Sequence, residues 1–173
     1  MALLTILEFP DPRLRKEALP ITDVDDSIRQ LADDMLETMY DAPGIGLAAP
    51  QIGVMDRLIV LDCVKEDGEE LRPLVMFNPV VVAASDEVNV YEEGCLSIPE
   101  QYGEVTRPEV VDVEWMDRDG NAQRERFDGL WATCVQHEID HLEGKLFIDY
   151  LKPLRRQMIT RKMQKLKREM ARK

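Results

Sequence analysis

The sequence is short of thiol and imidazole: three cysteines (Cys63, Cys95, Cys134) and two histidines (His137, His141) in 173 residues. An odd, sparse set of thiols excludes a disulfide framework and points to a reducing, cytoplasmic setting. No apolar run approaches the roughly 18 residues that a membrane span needs. The opening, Met1-Ala-Leu-Leu-Thr-Ile-Leu-Glu-Phe-Pro, has no basic segment, and Glu8 and Pro10 interrupt its apolar stretch, so no secretory signal is expected. Internal repeats, linkers and low-complexity segments are also missing. What remains is a 19.9 kDa chain, 45% hydrophobic and 32% charged, with room for one domain over residues 1–173.

The charge is unevenly placed. Residues 152–173 hold ten basic side chains against one acid, Glu169, a net of +9. The first 151 residues hold 12 basic and 33 acidic ones, a net of −21. Such a body repels phosphates, which excludes bulk binding to DNA. The terminal segment is suited to a polyanion.

Ile28, Leu31, Met35 and Met39 recur at helical spacing and predict a helix over 25–40, with N-caps among Thr22 to Asp26 and a stop at Asp41-Ala-Pro-Gly44. Residues 57–63 and 74–83 read as strands, with a charged loop over 65–73. Residues 109–117 alternate, placing Val111, Val113 and Trp115 on one face. Asp119-Gly120 turns them back into a strand over 122–127. Asp128-Gly129 opens a second helix running to Leu142 and stopping near Gly144. Pro153 starts a last, basic helix over 153–173, with Leu154, Met158, Met163, Leu166 and Met170 on one side. The pattern predicts an α+β fold: short antiparallel strands packed around a central metal-binding helix, with an N-terminal and a C-terminal helix.

The chemistry concentrates in His137-Glu138-Ile139-Asp140-His141. Residues four apart share a helix face, so both imidazoles can converge on one ion, and Glu138 can reach a water that the ion holds. Two histidines need a third ligand. Cys134 faces the same way but lies roughly 10.5 Å along the helix from His141, too far for one tetrahedral ion. Cys95 is the better ligand, since Gly94 before it allows a sharp turn on a loop that folds over the helix. Cys63 reads as core. The third segment, Gly44-Ile45-Gly46-Leu47-Ala48-Ala49-Pro50-Gln51, formally matches a dinucleotide fingerprint. That match fails because a helix precedes it and Pro50 follows. It reads instead as a loop for close approach by a substrate, with Gln51 offering an amide donor.

Together, Gly44–Gln51, Glu93–Ser97 and Gln136–Leu142 resemble, in order and without departure, the three motifs of the peptide deformylase family. The long terminal helix and lack of insertions resemble its bacterial type I branch. The resemblance implies removal of the N-formyl group from the initiator methionine of nascent polypeptides. It implies Cys95, His137 and His141 as ligands of one divalent metal, usually Fe²⁺, with Zn²⁺, Ni²⁺ or Co²⁺ as substitutes and water as fourth ligand. Glu138 would be general base and then acid, and Gln51 and the Leu96 N–H would donate to the oxyanion. Ile45, Leu130 and Cys134 are candidates for the methionine slot or ordinary core, and the substrate backbone would run along Gly44–Gly46 as an added strand. The basic helix would either pack its apolar stripe on the body or dock on ribosomal RNA. A zincin-type endopeptidase, which needs a further ligand downstream of His141, and a degenerate binding protein are the rival functions.

Overall fold

Helix α1 (Asp26–Asp41) begins where the Asp25 carboxylate accepts a hydrogen bond from the Ile28 amide at 2.9 Å. Its Ala32, Met35 and Met39 are fully buried, and Ile28 and Leu31 pack beside them. The computed structural model describes residues 2–64 and 69–172. Of the expected loop over 65–73, residues 69–73 carry neither helix nor strand, and the rest lies outside the described residues.

A five-stranded antiparallel sheet in the order β1-β2-β3-β6-β7 forms the frame. Its strands are β1 (Gly46–Ala48), β2 (Leu58–Leu61), β3 (Leu74–Ala84), β6 (Val110–Met116) and β7 (Ala122–Asp128). Strand β2 explains the architecture. Leu58 and Val60 project into the cluster shared with α1, while Ile59 and Leu61 project into the cluster shared with helix α2 (Gly129–Leu142). A strand covered on both faces is apolar at every position, as this one is. Each of these side chains contributes about 1.5–3 kcal/mol by leaving water. Val111, Val113 and Trp115 all face α2, as their alternation predicts. Helix α2 ends at Leu142, where Gly144, at φ +73°, takes the left-handed turn.

Two expectations are corrected. The segment holding Cys95 is not a loop: β4 (Val88–Cys95) and β5 (Ile98–Pro108) form a separate two-stranded hairpin, with Cys95 opposite Ile98. Its signal was inverted. Val88 and Val90 point outward, more than half exposed, while Glu93, Gln101 and Arg107 point in. The apolar stripe of helix α3 (Pro153–Ala171) is the second correction. Only Ile159 and Met163 are buried, against Phe147 and Ile148, whereas Leu154, Met158, Leu166 and Met170 are 40–71% exposed. Met170 lies nearly in line with Met163 but about 10.5 Å further along the axis, with nothing beneath it.

Candidate metal centre and its cleft

One turn of α2 presents His137 and His141, with ring centroids 5.0 Å apart. The hairpin brings Cys95 over them, its Sγ 3.4 Å from His141 Nε2. Donor atoms of Cys95, His137 and His141 all lie within 4.8 Å of one another. A thiolate and two imidazoles are a donor set suited to a divalent transition metal in tetrahedral coordination. Two buried polar atoms beside the cluster have no protein partner, Glu138 Oε1 and His141 Nδ1. Cys134 stays outside the cluster, and its thiol donates to the Ile45 carbonyl at 3.6 Å. Glu143, the nearest downstream acid, pairs with Arg57 instead.

Glu138 is 4% exposed, and burial pushes its carboxyl up to about 7. A carboxyl poised there can both take and return a proton near neutral pH. Its Oε2 would lie 2.5 Å from a Cβ at Gly46, so only glycine lets β1 pass so close. The same economy holds Leu96 against Gly44, where a Cβ would meet Leu96 Cδ1 at 2.7 Å.

His137 is oriented from behind. Its Nδ1 lies 2.9 Å from Glu93 Oε1, which leaves Nε2 for an ion. Arg107 donates twice to Glu93, at 2.7 and 3.0 Å, and once to Asp140 at 2.8 Å. The Tyr150 hydroxyl also donates to Asp140, and its ring stacks 4.7 Å from the Arg107 guanidinium. Burial raises the Glu93 carboxyl, but the hydrogen bonds from His137 and Arg107 outweigh it and hold it below its usual range. Burial lowers His141, and the positive neighbours His137 and Arg107 add to that, favouring the neutral imidazole that a metal ligand requires.

Gln51, from the short 3-10 turn Ala49–Ile52, is almost fully buried, with its Nε2 3.5 Å from Cys95 Sγ. A cleft of about 790 Å³ opens over this group. Its lining includes Gly44, Ile45, Gly46, Gln51, Leu96, Leu130, Cys134 and Glu138, the residues singled out in the sequence for catalysis and substrate binding. Sequence reasoning missed the roles of Glu93, Arg107, Asp140 and Tyr150. Glu93 sits inside a recognised motif. The ion-pair partners of Arg107 stand 14 and 33 residues away, where periodicity carries no signal.

The comparisons agree with this geometry. The profile of the polypeptide deformylase family matches residues 3–157. The peptide deformylase of Rhizobium meliloti (strain 1021) is 58% identical over 165 residues, covering 95% of this chain and 94% of its own. That of Zymomonas mobilis is 55% identical, covering 95% of both. Among solved structures, a peptide deformylase from Legionella pneumophila superposes with a TM-score of 0.88 at 49% identity over 99% of both chains. One from Ehrlichia chaffeensis in complex with actinonin gives 0.92 at 40% identity, over 97% of this chain and 99% of that one. A Cys-His-His cluster, a carboxylate poised beside it and similarity in sequence and fold over nearly the whole chain lead to one conclusion: the chain belongs to the polypeptide deformylase family of hydrolases.

Proposed function

We propose that this chain removes the N-formyl group from the initiator methionine of nascent polypeptides, releasing formate, with one divalent metal held by Cys95, His137 and His141. The observation that carries the reading is the juxtaposition of that donor cluster with Glu138, buried and with Oε1 unpartnered, at the base of a peptide-sized cleft. The donor set fits Fe²⁺, with Zn²⁺, Ni²⁺ or Co²⁺ as alternatives. An ion held there supplies Lewis acidity and brings the pKa of a bound water toward neutrality.

The protein supplies the rest. Glu138 accepts the water proton as the water oxygen bonds to the formyl carbon. Negative charge then grows on the former carbonyl oxygen, toward which Gln51 Nε2 and the Leu96 N–H donate. Glu138 returns its proton to the nitrogen as the C–N bond breaks, leaving formate and a free amine. Gly44–Gly46 offer backbone to an extended substrate, and Ile45, Leu130 and Cys134 form the slot for the methionine side chain. The proposal places this activity in the cytoplasm, in one domain over 1–173. Helix α3 would act as a tether to ribosomal RNA, and DNA and membranes have no part in the reading. No helix among the described residues is long and apolar enough to cross a membrane.

The test is anaerobic purification, metal analysis, and formate release from formyl-Met-Ala-Ser with Glu138→Ala alongside. One ion per chain in both proteins, with kcat about 10²–10⁴-fold lower in the variant, is expected. A metal-loaded wild-type protein that releases no formate would sink the reading and favour a binding role.

A further inference from the structure

Each polar atom of the Gln51 carboxamide has a partner within the protein. Oε1 accepts from the Ala48 amide at 2.9 Å, while Nε2 lies 3.1 Å from Ser97 Oγ and 3.5 Å from Cys95 Sγ. The Ala48 N–H is only a donor, so Oε1 must face it, and the NH₂ group must face the cleft side. Flipping the amide would set two donors against each other at Ala48.

Ser97 is itself fixed. It is fully buried in the turn between β4 and β5, and its carbonyl accepts the Phe9 amide at 2.8 Å. Two residues earlier in the N-terminal segment, the Leu7 amide donates to the Gln51 carbonyl at 2.7 Å. Residues 7–9 therefore fasten the backbone of Gln51 to the backbone of Ser97. The hydrogen bond between the two side chains adds a direct strut across the same gap.

We propose that Ser97 is a positioning residue: its hydroxyl takes one Nε2 hydrogen of Gln51 and so aims the other into the cleft beside Cys95. This rests on the reading of Gln51 as an oxyanion donor. Without that hydroxyl the NH₂ group keeps only the longer 3.5 Å contact to Cys95 Sγ, so the amide swings more freely about χ3 and its N–H spends less time where charge develops. The hydroxyl thus acts on the transition state through Gln51, without touching the substrate.

The test has two arms. In the first, kcat and KM for formyl-Met-Ala-Ser are measured in wild type, Ser97→Ala, Gln51→Ala and the double variant. Ser97→Ala is expected to lower kcat about three- to tenfold with KM within twofold, in keeping with the loss of one oriented hydrogen bond. In the Gln51→Ala background the Ser97 substitution should have no further effect. In the second arm, the metal-free ¹⁵N-labelled protein reports solvent exchange of the Gln51 side-chain NH₂, whose signals are identified by their loss in Gln51→Ala. Exchange is expected to be at least tenfold faster in Ser97→Ala, and likewise in Ser97→Cys, which keeps the volume should the alanine variant fail to fold. Unchanged exchange, unchanged kcat, or a Ser97→Ala loss that persists undiminished without Gln51 overturns the assignment. A wild-type enzyme that releases no formate overturns the deformylase reading instead, and the exchange arm then decides Ser97 alone.

Discussion

Helices α2 and α3 are both amphipathic in sequence, yet they stand in opposite relation to the rest of the molecule. Helix α2 buries eight of its 14 residues, including three polar ones at the metal centre, between the sheet and the hairpin. Helix α3 buries two of 19 and leaves four large apolar side chains in solvent. The family profile ends at residue 157, in the first turns of α3, although the similarity to the Legionella pneumophila structure extends over 99% of the chain. A helix whose side chains are fixed by packing and chemistry has little freedom to drift. One that rests on Pro153, strong helix formers and a two-residue anchor is fixed at few positions.

The largest expected difference between them is in stability. Leu142→Ala in α2 empties a fully buried site and should cost about 2–5 kcal/mol, whereas Leu154→Ala in α3 should stay within about 0.5 kcal/mol. Denaturant titration of both variants checks this, and comparable losses would mean that α3 packs more firmly than its exposure indicates. Next is the support behind α2. Glu93→Gln keeps the shape but weakens the hold on His137, and should lower metal affinity about 10–100-fold by competition with a chelator.

Replacing Arg161, Lys162, Lys165 and Lys167 with Gln should leave turnover of a small formyl peptide within twofold. Sedimentation with ribosomes should show weaker binding and a shallower dependence on salt. Substitution serves better here than truncation, because Arg155 donates to the Tyr102 carbonyl at the rim of the cleft, and Tyr102 packs over Gly94. The smallest effect concerns the joint between the two regions. Asp149 binds Arg15 and Arg156, and although burial raises its carboxyl, the hydrogen bonds from Arg15 and the Leu146 amide and the charges of Arg15 and Arg156 together hold it below 3.8. Its contribution is therefore present at neutral pH and fades as the pH falls below 3.8 through the lower folded value. Asp149→Asn should lower Tm by about 1–3 °C at pH 7 and by less at pH 3, as read by thermal scans at both.

Much of the molecule was legible where apolar spacing and catalytic spacing coincide. His137, Glu138 and His141 announce themselves on a single helical turn, and β2 and β6 through runs and alternation of Val, Ile and Leu. The hairpin that delivers Cys95 was not legible as strands. Its inward side chains are Glu93, Gln101 and Arg107, whose burial is compensated by partners distant in sequence. In α3 the expected stripe joined two faces: at 100° per residue Leu154 and Met158 lie opposite Met163, and the buried Ile159 was left out of it. Helical periodicity carries no information on whether a body lies opposite a face, and for Leu154, Met158, Leu166 and Met170 none does.

Cys95 and His137 are 42 residues apart, and the chain between them includes β5, β6 and β7. During synthesis the thiol therefore emerges well before either imidazole, and no two-ligand fragment of the early chain can trap an ion in the final arrangement. Closing that span falls to the sheet and its apolar clusters. An ion that needs all three donors can be held only once that span has closed, which ties the loading of this protein to the completion of its fold.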